Sequence, residues 1–279
     1  MKPDKFANLG KAVHHWLSFQ LLCGREQLMS ESYLNQPTGE YLLNVSASSH
    51  LKTEYDHPFL NEEGRQGRPR QIDFCLLSRD TQRLTTAIEL KWINSTPLNR
   101  QRIVHDLLRL ECLRGTEKGQ RIYRYLIVAG RTKDFNEQLL GTKCQKKDNK
   151  RAPLLDGILA TSEGQQVSVI YQNLNESQQA LFDNYVVKYN MGIPARFETK
   201  LEFGIREGAF CVYGWHIQCS SNRKEISPTT TLGKNQNQRS PQTPLSDPVS
   251  LTPAQTNSSS PSDVEMVPLI YDPFHSPTP

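Results

Sequence analysis

The chain has no uninterrupted apolar stretch near the roughly 18 residues a membrane-spanning helix needs, and its first residues, Met1-Lys2-Pro3-Asp4-Lys5-Phe6, lead into no apolar leader segment. A spanning or conventionally exported protein is therefore not expected, and a cytoplasmic location is. Cys-x-x-Cys pairs are missing among the six cysteines, as are closely spaced histidine pairs of the His-x-x-x-His kind. A structural zinc site has no support, and the cysteines read as buried, reduced thiols. The phosphate-cradling G-x-x-x-x-G-K-[ST] loop is absent too, so the chain carries no P-loop ATPase of its own. Apolar residues are themselves scarce, at 36% of 279 against about 45–50% in ordinary globular chains. Part of the chain cannot belong to a packed core.

That deficit sits at the end. Ten of the 17 prolines fall in residues 220–279, among many Ser, Thr, Asn and Gln. Such a segment cannot bury enough apolar surface to offset its ordering entropy. The sequence thus divides into a folded domain, 1–223, and a disordered Pro/Ser/Thr-rich tail, 224–279. One apolar island, 266–274, interrupts the tail and could serve as a protein partner's handle.

Charge is unevenly spread. Residues 65–151 hold 20 Lys and Arg against 9 Asp and Glu, whereas the rest holds 13 against 20. A basic middle segment suits a polyanion, since each neutralised phosphate releases condensed counterions. Arg68, Arg70, Arg109, Lys146, Lys147, Lys150 and Arg151 are the candidate nucleic-acid contacts. Phosphate contacts of this kind position a nucleic acid without reading its sequence.

Periodicity places the elements. Apolar spacing predicts a helix over Leu9–Leu22 and a second from Glu26 to Leu34 that ends before Pro37. Strands follow at Leu51–Tyr55, Gln71–Leu77 and Thr85–Trp92. In the second of these Ile72, Phe74 and Leu76 alternate against Asp73 and Cys75. In the third Thr86, Ile88, Leu90 and Trp92 alternate against Ala87, Glu89 and Lys91. An amphipathic helix over 100–113 turns Arg102, His105, Asp106 and Arg109 away from its apolar side. A buried strand at Tyr123–Ala129, a helix near Phe135–Leu140, a strand at Val167–Tyr171, a helix at Glu176–Asn190 and a closing hairpin at 196–217 complete a mixed α/β sheet flanked by helices.

The chemistry lies in Asp73, Glu89 and Lys91. Glu89 and Lys91 emerge on one strand face, and 16 residues suffice for Asp73 to lie on the neighbouring strand. Charges in the middle of apolar strands are costly unless they pair or bind metal. Two hard carboxylates suit Mg²⁺ or Mn²⁺, and a lysine can position and activate a water or neutralise charge on an attacked phosphodiester. The competing reading is an edge strand whose exposed face carries a Glu–Lys pair. Glu54 is a further candidate metal ligand, with Glu31 on the second helix competing for that role.

In this arrangement the sequence resembles the PD-(D/E)XK nuclease superfamily, the restriction-endonuclease-like fold. The resemblance rests on Ile72-Asp73-Phe74, on Ala87-Ile88-Glu89-Leu90-Lys91-Trp92, and on the helix and strand that follow, roughly residues 10–130; Ile72 stands where the family name has proline. It implies a metal-dependent nuclease acting on DNA, with RNA the alternative substrate. Asp73, Glu89 and the Leu90 backbone carbonyl would be metal ligands, and Lys91 the catalytic lysine. A homodimer is compatible with it. The other expectation is a catalytically silent nuclease-like domain that binds nucleic acid or a protein partner within an assembly.

Overall fold

The computed structural model of the chain describes residues 1–46, 49–61, 71–96, 99–115, 120–140, 155–219 and 225–226. Seven strands form one mixed sheet with helices on both faces. In chain order these are α1 (Pro3–Leu22), α2 (Glu31–Val45), β1 (Ser49–Asp56), β2 (Gln71–Ser78), β3 (Leu84–Ile93), α3 (Asn99–Cys112), β4 (Tyr123–Arg131), α4 (Thr132–Phe135), β5 (Gln166–Ile170), α5 (Glu176–Tyr189), β6 (Ile193–Pro194), β7 (Arg196–Glu207), β8 (Phe210–Cys219) and β9 (Glu225–Ile226). The sheet order is β1-β2-β3-β4-β8-β7-β5, with β6 and β9 forming a separate two-stranded pair. Only β3 and β4 run parallel, joined by the α3 crossover; the other neighbours in the sheet are antiparallel.

Strand alternation sorts side chains into two cores. Phe74, Leu76, Ile88, Leu90, Tyr125 and Ile127 face α1 and α2, where Phe6, Leu9, Val13 and Leu34 meet them. Cys75, Leu77, Ala87, Leu126 and Val128 face α3 and α5, meeting Ile103, Leu107, Leu108 and Phe182. Buried on both faces, the central strands read as near-continuous apolar runs. Close approach of α1 is secured by Gly10 and Gly214: a Cβ on either would lie 2.2 Å from the Phe203 ring. Among the described residues no helix is long and apolar enough to cross a membrane.

Several expectations shift. The second helix does not stop before Pro37. A 3₁₀ turn occupies Glu26–Leu28, and α2 then runs through Pro37 to Val45. An interior proline costs a helix about 3 kcal/mol, and the buried face of Leu34, Pro37, Thr38 and Leu42 offsets it. Ile72 joins the α3-side core rather than that of Phe74, because the β2–β3 ladder has ended at Phe74. The helix α3 is buried nearly all round, His105, Asp106 and Glu111 included, because α5 covers the side expected to meet solvent. Of the two histidines on α1, His14 is buried against the Glu207 carbonyl and His15 is exposed. Cys75, Cys112 and Cys211 are buried, Cys219 is half-buried, and Cys23 is exposed. Glu225 and Ile226, past the boundary expected at Arg223, form β9 against β6. Residues 227–279, including the apolar island, lie outside the described residues.

Two histidines are folded into these layers as neutral rings. His105 on α3 packs edge-on against Tyr185 and Tyr189 of α5, with ring centroids 5.4 and 5.5 Å away. Burial, reinforced by Lys188, lowers its pKa from 6.5 to about 4. His216 on β8 lies against Tyr125 and is likewise lowered to about 4, by burial and then by Arg121 and Arg124. A depressed histidine contributes stability that is complete above its unfolded pKa and lost as pH falls from 6.5 towards 4. His105→Gln should therefore flatten the dependence of unfolding free energy on pH in that window, by up to about 1.4 kcal/mol per pH unit. Urea denaturation at pH 7, 6 and 5 measures this, and an unchanged slope contradicts it.

Candidate metal and phosphate site

The site begins where two strands part. The β2–β3 ladder ends with Phe74 opposite Ile88, so Asp73 and Glu89 stand just past the last pair. The Leu90 N–H, freed from a backbone partner on that side, donates to Asp73 Oδ2 at 2.7 Å. Within an extended strand the N–H and C=O of one residue point the same way, so the Leu90 carbonyl also looks into the fork. Strand β3 lies third in the sheet, with β2 on one side and β4 on the other. The edge-strand reading of the Glu–Lys pair therefore fails, and Glu89 and Lys91 are buried at 1% and 8% exposure.

Both helical layers reach the fork. From α3, Asp106 Oδ2 sits 2.9 Å from Lys91 Nζ, and Asp106 Oδ1 is 2.8 Å from Arg109 Nη2. Arg109 Nη1 donates to Glu89 Oε1 at 2.9 Å and to the Gln71 carbonyl at 2.8 Å. From α2, on the opposite face, Glu31 lies 2.9 Å from Lys91 Nζ. The ammonium thus joins helices from both sides of the sheet, through the gap that β2 leaves beside residues 89–91. The side chains of Glu89 and Asp73 lie next to each other in the fork and interact directly.

Charge balance and burial govern these groups. Four carboxylates, Glu31, Asp73, Glu89 and Asp106, face two cations, Lys91 and Arg109. Fully ionised, the cluster carries two uncompensated negative charges. Burial raises the pKa of Asp73, against the Leu90 N–H, and raises that of Glu89 well above the usual range, against Arg109. Burial alone would lower the pKa of Lys91, but Asp106 and Glu31 more than offset it and keep the ammonium charged. Arg109 is held charged in the same way by Glu89 and Asp106. Two missing positive charges, and three oxygens from Asp73, Glu89 and Leu90 directed into one fork, fit a hard divalent cation. Among the described residues no group of three or more His, Cys, Asp or Glu side chains is gathered in metal-binding geometry.

Asp73, Glu89 and Lys91 are brought together. Glu54 is not: it is exposed on β1 with a positive φ of 48°, skipped in the β1–β2 register between Thr53 and Tyr55. Glu31 is the additional carboxylate at the site. Arg109, expected to meet substrate, turns inward and is spent on Glu89, Asp106 and the Gln71 carbonyl, where it offsets the charge of the buried Glu89. Lys91, expected on a polar face, is clamped between carboxylates. Asp106 was legible only as half of an i, i+3 pair with Arg109; nothing local marks it as the bridge to Lys91. Arg68, Arg70, Lys146, Lys147, Lys150 and Arg151 lie outside the described residues. Compared with known protein families, curated proteins and solved structures, the chain matches none of them.

Removing one partner of a buried ion pair leaves the other uncompensated, which costs about 3–5 kcal/mol. Arg109→Met should destabilise the metal-free protein by about 3 kcal/mol, and adding Glu89→Gln should restore at least half of that. Urea denaturation of the two variants checks it; a wild-type midpoint for Arg109→Met would show that the network does not hold the fork.

Proposed function

We propose that the chain is a metal-dependent nuclease that hydrolyses phosphodiester bonds of DNA, built on a restriction-endonuclease-like core. The observation that carries this reading is the convergence of the Asp73 and Glu89 carboxylates and the Leu90 carbonyl at a fork in the middle of the sheet, with Lys91 next to them. The order of strands, α3 crossover and parallel β4 accords with it. Asp73, Glu89 and the Leu90 carbonyl would hold Mg²⁺ or Mn²⁺, which when bound polarises the phosphate and lowers the pKa of water.

The chain's own residues supply the rest. Lys91, held charged by Asp106 and Glu31, orients the attacking water and offsets negative charge building on the non-bridging phosphate oxygens. Arg109 fixes the Glu89 carboxylate through Nη1, and Asp106 locks Lys91 and Arg109 to the same helix. Hydrolysis forms one bond from phosphorus to the water oxygen and breaks one to the ester oxygen. The products are a phosphate monoester and a hydroxyl end.

The silent-domain alternative has one observation in its favour: the Lys91 ammonium contacts carboxylates on two helices, as a purely structural lysine would. Incubation with plasmid, linear and single-stranded DNA, and with RNA, in Mg²⁺, Mn²⁺ or EDTA separates the two. Cleavage that needs Mg²⁺ or Mn²⁺ is expected, with Asp73→Asn and Lys91→Met losing at least 100-fold. Cleavage in EDTA, or at the wild-type rate by Asp73→Asn, would overturn the assignment.

A further inference from the structure

A groove of about 430 Å³ opens at the carboxyl ends of the parallel strands β3 and β4, where open α/β sheets commonly receive ligands. Its volume falls within the range of about 300–1,000 Å³ found for small-ligand sites. Glu31 is shared between this groove and the Lys91 cluster, so the two are contiguous. Trp92, the residue after Lys91, is half-buried, with its ring anchored against Phe210 at a centroid distance of 6.2 Å and lining the groove. Across from it stands Arg102 of α3, exposed and without an ion-pair partner among the described residues. The far end carries Arg131, paired with Glu26 at 3.0 Å.

We propose that this groove seats one unstacked nucleotide of the DNA strand next to the scissile phosphate, its base on Trp92 and its own phosphate at Arg102. The inference rests on the nuclease reading and adds a substrate class: DNA with a single-stranded or splayed nucleotide at the cleavage position. The chemistry is specific to that class. An indole anchored on one side is a stacking platform for any base, and a base inside an intact duplex has no free face to offer it. A guanidinium with no ion-pair partner among the described residues suits phosphate, whereas Arg131 is already paired with Glu26 and shares the lining with Asp134, so the far end has no free cation for a second one.

The test is binding in EDTA, read by fluorescence anisotropy of a labelled 12-nucleotide oligothymidylate and a blunt 12-base-pair duplex. Trp92→Ala should weaken oligothymidylate binding about 10-fold, as loss of one base–aromatic stack does, and change duplex binding less than about 2-fold. Trp92→Phe, which keeps a ring in the core, should fall between and guards against a folding defect. Arg102→Gln should weaken both ligands and reduce the salt slope by about one. Unchanged oligothymidylate affinity in Trp92→Ala and Trp92→Phe, or equal losses for both ligands, would overturn the proposal. Tighter binding of oligouridylate than oligothymidylate would overturn its assignment to DNA. Should Trp92-dependent binding persist in a protein that cleaves nothing, the groove stands and the nuclease reading falls; metal-dependent cleavage with Trp92-independent binding gives the reverse.

Discussion

The structure turns on one electrostatic constraint: four carboxylates and two cations share a fork in the centre of a sheet, with all but Glu31 largely removed from water. Each charge there is costly alone, and cheap only while its partners stay within about 3 Å. That requirement ties together parts of the chain far apart in sequence. Lys91 of β3 holds Glu31 of α2 and Asp106 of α3. Arg109 of α3 holds Glu89 of β3 and the start of β2 through the Gln71 carbonyl. Two helical layers and two strands are therefore registered to one another by ion pairs as well as by packing.

A buried ion-pair network is weak evidence for stability, since apolar residues of the same volume would often do as well. Its retention in the middle of the sheet makes better sense as chemistry. The cluster lacks two positive charges, and burial raises the pKa of both Asp73 and Glu89. In the proposed reading a divalent cation would complete the balance, in keeping with the pKa logic of buried carboxylates beside metal ions. Glu31 links this cluster to the groove at the carboxyl ends of β3 and β4, which Trp92 and Arg102 line.

The helix α3 carries two duties that its composition does not separate. Ile103, Val104, Leu107 and Leu108 pack it onto the sheet, while Asp106 and Arg109, on the same helix, enter the charge network. His105 faces the third direction, into α5. A helix with polar residues on one side ordinarily shows that side to water. Here Asp106 and Arg109 are covered and met by Lys91 and Glu89 of β3, while Arg102 stays exposed.

Sequence alone determined what is local or periodic. Period-two alternation put Glu89 and Lys91 on one face of β3, because side-chain direction in a regular strand follows parity; in β2 that parity breaks at Ile72, which joins the core opposite to that of Phe74. Period 3.6 placed α1, α3 and α5, and the dense apolar run at Tyr123–Ala129 identified a strand covered on both faces. The choice of Glu31 over Glu54 was not legible. Both are acids at plausible distances along the chain, and the decision fell to a skipped register position in β1 and to the gap that lets α2 reach Lys91. The path of α2 through Pro37 was equally hidden, since local preference opposed it and only burial of that face outweighed it. The inward turn of Arg109 and the burial of Lys91 were decided by tertiary structure for one reason. Whether a charged side chain meets solvent or another charge depends on what packs above it, and for α3 and β3 those neighbours come from parts of the chain more than 50 residues away, Glu31 and α5 among them.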